Sequence, residues 1–134
     1  AAKGPSTAIK IPSEVWSPSY DPSHYHIADP MERFESVNGS FPRSVPPVLT
    51  GGPVGLVDFH FQSVSTLGDI IEDVVGEARR RNGETWIITG RGQHVDGKSF
   101  QKQGGVLKKE VEEFLRRKGI KYKEGKGGGA FLVC

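Results

Sequence analysis

The chain has 134 residues, 35% hydrophobic and 25% charged, with a formal net charge of +2 and a single cysteine, Cys134. That length suits one domain, and one thiol excludes an internal disulfide framework and fits a reducing, intracellular location, cytoplasmic or mitochondrial. No run of about 18 apolar residues reads as a membrane span, and Ala1 to Gly4 show no apolar signal region.

Residues 1–52 read as an extended arm. Eight of the nine prolines lie there and the ninth is Pro53. Each Xaa-Pro step pushes the residue before it toward β or polyproline geometry. Trp16, Tyr20, Tyr25, Phe34 and Phe41 are spaced as single anchors, not along one face. Such a segment does not bury enough by itself to offset its ordering entropy. Either the globular part or a protein or RNA surface of a larger complex must hold it, and its length favours the second. The one helical signal is Asp29-Pro30, a cap followed by a proline at the first helical position, running on to Glu35.

Residues 53–134 carry the periodic patterns. A first strand is expected from about Gly55 to Phe61, with Val57, Phe59 and Phe61 toward a core and Asp58 and His60 sharing the other side. Thr66 is placed to cap a helix, with Asp69 in the capping-box position. Leu67, Ile70, Ile71, Val74, Val75 and Ala78 then form its apolar stripe, and Asn82-Gly83 ends it. A second strand, Thr85 to Thr89, completes a βαβ unit with a parallel pair. From Gly90 to Gly105 the sequence reads as a polar loop leaving the strand end where α/β sheets place ligands.

A second helix is expected over Val106 to Lys118, with Leu107, Val111, Phe114 and Leu115 inward. A hairpin follows, from Ile120–Lys123 to Ala130–Val133 across the glycine-rich turn Gly125–Gly129. That turn suits either a phosphate cradle or a loose loop. The order is β-α-β-α-β-β. It predicts an α/β fold of the α+β two-layer sandwich type, a four-stranded mixed sheet with two helices on one face. Asp58 and His60 would lie on the uncovered face or at its edge.

Charge is unevenly spread. From Arg91 to Cys134 there are eleven basic and five acidic residues. That excess points to a polyanion, most often nucleic acid; solvated helix faces with pairs such as Lys108 and Glu112 are the other explanation. His24 and His26 lack a cysteine or carboxylate cluster, so no metal site is expected. Gly90-Arg91-Gly92 lacks the later glycine of a dinucleotide fingerprint, so no cofactor is expected either.

In its motifs the chain is similar to the Smr (small MutS-related) domain, in its eukaryotic branch. Val57-Asp58-Phe59-His60-Phe61 stands where that family has Leu-Asp-Leu-His-Gly. Thr89-Gly90-Arg91-Gly92 matches the family's His/Thr-Gly-Lys/Arg-Gly, and Gly125–Gly129 its glycine-rich turn. Phe61 replaces the usual glycine, a ring that narrows access to the site, and the loop from Gly92 to Gly104 is longer than usual. The resemblance covers residues 55–134. It implies binding to RNA or DNA, with several members acting as endonucleases and eukaryotic ones linked to RNA cleavage on ribosomes. It also assigns the functional roles to Asp58, His60 and Arg91.

Two readings follow. One is an endonuclease acting on RNA, with His60 as general base or acid, Asp58 setting its tautomer, and Arg91 stabilising phosphoryl charge. Nucleic-acid contacts are then expected from Thr89, Gly90, Arg91, Gly92, His94, Lys98, Lys102 and Lys126. The other is a non-catalytic component of a large ribonucleoprotein such as a ribosome, the mitochondrial one included, anchored by residues 1–52.

Overall fold

The computed structural model describes residues 9–11, 23, 26–38, 43–45, 54–90 and 98–133; the side chains of 43–45 and 98–104 lie outside that description. Helix α1 (Pro30–Asn38) starts as its sequence directs. Asp29 Oδ2 accepts the Glu32 N–H at 2.9 Å, and Asp29 O accepts the Arg33 N–H, also at 2.9 Å. Phe34 on its inner side is buried and stands 5.7 Å, ring to ring, from Phe59. Strand β1 (Arg43–Val45) pairs antiparallel with β2 (Val54–Asp58), Arg43 opposite Leu56 and Val45 opposite Val54. The described pieces of the N-terminal segment are thus held by the globular part itself.

Helix α2 (Val64–Asn82) begins earlier than the sequence suggests. The cap is Ser63, not Thr66: Ser63 Oγ accepts the Thr66 N–H at 3.1 Å, and Thr66 Oγ1 accepts the Ser63 N–H at 2.8 Å. Thr66 therefore fills the third position of a capping box, the role expected of Asp69. The six residues of the expected stripe are all buried, and the Gly83 N–H closes the helix on Arg79 O. Strand β3 (Thr85–Ile88) lies parallel to β2, with Leu56 opposite Trp86 and Asp58 opposite Ile88.

Helix α3 (Lys98–Lys118) is longer than expected, because its first turns occupy part of the presumed polar loop. Phe100, Leu107, Val111 and Phe114 fall at i, i+7, i+11 and i+14, which extends one apolar stripe backward. Gly104 and Gly105 hid it, since glycine costs about 1 kcal/mol relative to alanine within a helix. Lys108 also turns from its expected partner Glu112 to Glu124, at 2.6 Å, while Glu112 accepts from the Tyr122 hydroxyl at 2.7 Å. Lys118 donates to Glu72 at 2.9 Å, joining α3 to α2 and holding the Glu72 carboxyl below its ordinary range.

Strands β4 (Tyr122–Glu124) and β5 (Ala130–Val133) form the expected hairpin, and the sheet order is β1-β2-β3-β5-β4. The four expected strands are present, with β1 added at the edge. Both long helices cover one face, where Val57, Phe59, Ile87, Phe131 and Val133 meet the stripes of α2 and α3. The fold is therefore the two-layer α+β sandwich read from the pattern.

The opposite face is not bare. Val54, Leu56, Trp86, Ile88, Ala130 and Leu132 form a second apolar cluster with Ile9 and Ile11, and Trp86 is 0% exposed. The cause is visible in Trp86-Ile87-Ile88 and Ala130-Phe131-Leu132-Val133, which are continuous apolar runs as in strands buried on both sides. Ile9 pairs with the hairpin turn through its N–H to Glu124 O and the Lys126 N–H to its own carbonyl. A Cβ on Gly125 would lie 2.5 Å from the Ile11 side chain, so only glycine admits this approach. Among the described residues no helix is long and apolar enough to cross a membrane.

Candidate functional site

The parallel strands β2 and β3 end side by side, and three stretches singled out in the sequence meet there. The Phe59 N–H still bonds Ile88 O at 2.8 Å, after which the chain leaves the sheet and His60 and Phe61 form a turn. His60 is therefore not a strand residue on a sheet face. It reaches Asp58 because the Asp58 carboxylate folds the chain back. Asp58 Oδ1 accepts the His60 backbone N–H at 3.0 Å and lies 2.7 Å from His60 Nδ1. A short polar side chain gripping the N–H two residues on is an Asx turn.

An ionised carboxylate only accepts hydrogen bonds, so in the neutral imidazole it selects the tautomer with the proton on Nδ1 and the lone pair on Nε2. Asp58 is 2% exposed, whereas the His60 side chain is 14% exposed. The acid is sealed and the imidazole reaches the surface.

The second stretch closes on the first. Gly90 has φ +90, and a Cβ placed on it would lie 3.1 Å from His60 Cβ. Glycine thus serves twice here, for the left-handed backbone and for the close approach. The third stretch is tied to the second: Gly129 O accepts the N–H groups of Thr89 at 2.8 Å and Gly90 at 3.2 Å. The hairpin turn is therefore bonded to the end of β3, and Lys126 on it is exposed.

Phe61, where glycine was the expectation, is buried, its ring centroid 4.0 Å from that of His60. It screens one side of the imidazole. Thr89 is buried too, and among the described residues its hydroxyl has no hydrogen-bond partner.

Of the residues picked from sequence, the structure brings together Asp58, His60, Thr89 and Gly90, with Lys126 on the adjoining turn. Arg91, Gly92 and His94 lie outside the described residues. Lys98 and Lys102 belong to the opening turns of α3, and their side chains also lie outside the description. His24 is not among the described residues, and His26 is exposed. No three His, Cys, Asp or Glu side chains converge on a point among the described residues.

Two residues at this end of the sheet are not legible in sequence. Asn38 Oδ1 accepts the Asp58 N–H at 2.8 Å, and Arg33 Nη1 donates to Phe61 O at 3.0 Å. Asn38-Gly39 after a short helix reads as a stop signal, and nothing in its pattern points across to Asp58.

The family model for the Smr domain matches residues 57–133, from the end of β2 through β5. No curated protein and no solved structure matches the chain. Smr domains are in general nucleic-acid-binding domains of the endonuclease type.

Proposed function

The chain belongs to the Smr domain family, and on that footing we propose that it binds RNA at the end of β2 and β3 and cleaves it through His60. The observation that carries this reading is the 2.7 Å contact of Asp58 Oδ1 with His60 Nδ1. It fixes the ring and leaves Nε2 as the base of a side chain that is partly exposed. Nε2 takes the proton from a 2′-hydroxyl, whose oxygen attacks phosphorus as the bond to the 5′ oxygen breaks. The products are a 2′,3′-cyclic phosphate and a 5′-hydroxyl, the leaving oxygen taking its proton from solvent. Arg91, next in the chain after Gly90, is the cation assigned to the charge growing on the phosphoryl oxygens. Gly90, Gly92, His94, Lys98, Lys102 and Lys126 hold the sugar-phosphate chain around it, while Thr89, itself buried, sets the backbone that leads into Gly90.

RNA is preferred to DNA because this route needs the 2′-hydroxyl. Among the described residues the site has one carboxylate, Asp58, which furnishes a pair of metal ions poorly. The test is cleavage of a structured RNA by the wild-type chain and by His60→Ala, with and without EDTA. Wild type should cut in both conditions and the variant in neither; undiminished cutting by the variant refutes the assignment.

A second reading is favoured by Phe61, whose ring covers one side of the imidazole. In it the domain holds RNA without cutting, as a component of a larger ribonucleoprotein such as a cytoplasmic or mitochondrial ribosome. Tight RNA binding by wild type with no cleavage product supports that reading over the first.

A further inference from the structure

We propose that helix α1 is part of the working site, and that Asn38 and Arg33 are positioning residues for the turn that carries His60. The proposal rests on the reading that His60 acts on the bound RNA. It starts from an unmet need in the sheet. The backbone groups of Val54, Leu56 and Asp58 face the edge where β1 pairs, because those of Gly55 and Phe59 are turned toward β3. The β1 ladder stops at Leu56. Asp58, buried at the strand end, is left with an N–H and a carbonyl to satisfy.

Asn38 supplies both. Its Oδ1 accepts the Asp58 N–H at 2.8 Å, and its Nδ2 donates to Asp58 O at 3.1 Å, with a further bond to Phe34 O at 2.7 Å. One amide side chain thus imitates the paired bonds of a neighbouring antiparallel strand. Asn38 is itself 2% exposed, so water does not readily replace it.

The other flank of His60 is held from the same helix. Arg33 Nη1 donates to Phe61 O at 3.0 Å, while its Nε donates to Ile27 O at 2.9 Å. Gln62 Nε2 reaches Pro30 O at 3.3 Å. The backbone is therefore pinned at Asp58 and again at Phe61, with His60 between and the Gln62 side chain tied to the same helix. Since both bonds from His60 end on one oxygen of Asp58, the imidazole direction follows the backbone of Asp58. All of α1 precedes residue 57, where the family match begins. The matched domain alone does not contain these tethers.

A role limited to anchoring the helix would be met by Phe34, whose ring packs 5.7 Å from that of Phe59 in the core under the helices. The test therefore reads the imidazole as well as the rate. The full chain, labelled with nitrogen-15 in histidine, is compared as wild type, Asn38→Ala, Arg33→Gln, Arg33→Lys and Phe34→Leu, with folding checked by circular dichroism. His60 signals are assigned by their loss in His60→Ala. Wild type should show one fixed tautomer, protonated at Nδ1. Asn38→Ala and Arg33→Gln should show mixed tautomers, with kcat for RNA cleavage lowered about 10- to 100-fold and KM about unchanged. Arg33→Lys should recover part of the loss, and Phe34→Leu should keep the wild-type tautomer.

Folded Asn38→Ala and Arg33→Gln chains with the wild-type tautomer and kcat overturn the proposal. If Asn38→Ala does not fold, Arg33→Gln decides alone. If His60→Ala cuts as wild type does, the cleavage reading fails, while the tautomer result still decides the positioning claim.

Discussion

His60 Nδ1 lies 2.7 Å from Asp58 Oδ1, and the same oxygen takes the His60 backbone N–H at 3.0 Å. Asp58→Asn keeps an oxygen for the backbone bond but removes the carboxylate that supports a protonated Nδ1. RNA cleavage by the full chain should fall about 10²- to 10⁴-fold, with the dissociation constant for RNA little changed. Single-turnover cleavage beside filter binding measures both. Equal loss of binding and cleavage would make Asp58 a fold residue only.

Gly90 is the hinge between the first two motifs. Gly90→Ala forces a side chain into a left-handed backbone and against His60 Cβ. The backbone strain alone should cost about 1–2 kcal/mol of stability, read by urea denaturation, and the His60 ring signals should shift. A variant as stable as wild type with an unmoved ring contradicts the packing described here.

Much of this was legible in the residues themselves. The stripes of α2 and α3, the parallel pair and the final hairpin follow from apolar spacing, and Asp29-Pro30 marks the start of α1. The Asp58–His60 contact was also foreseeable, although from strand alternation rather than from the turn that creates it. Two things were hidden. The second apolar face is written in Trp86-Ile87-Ile88 and its partner strand, but a short apolar run does not say which element covers its far side. Asn38 was invisible because it acts by shape complementarity across twenty residues of chain, with no periodic pattern to announce it.

The apolar face beyond the sheet makes the N-terminal segment structurally necessary. Compared with a full-length Trp16→Phe chain, in which Trp86 is the one indole, a chain beginning at Pro53 loses Ile9, Ile11 and all of α1. Each buried aliphatic or aromatic side chain uncovered is worth about 1.5–3 kcal/mol. Trp86 emission should therefore shift to the red and become quenchable by iodide. Unchanged, shielded emission from the shortened chain would show that residues 53–134 bury that face unaided.

Lys126 sits on the turn bonded to Gly90 and is exposed. If it neutralises one phosphate of a single strand, Lys126→Ala should weaken RNA binding and flatten the plot of log affinity against log salt by about 0.7. Binding measured over a range of potassium chloride gives the slope. An unaltered slope would place Lys126 off the path of the strand.

The most direct test of the central claim is to titrate a short single-stranded RNA into the nitrogen-15-labelled full chain and follow its amide and imidazole signals. Binding at the end of β2 and β3 predicts the largest changes at His60, Thr89, Gly90 and Lys126, with the amides on the exposed side of α2 unmoved. Changes confined to α2, or to the edge strand β4, with His60 and Gly90 silent, would contradict it.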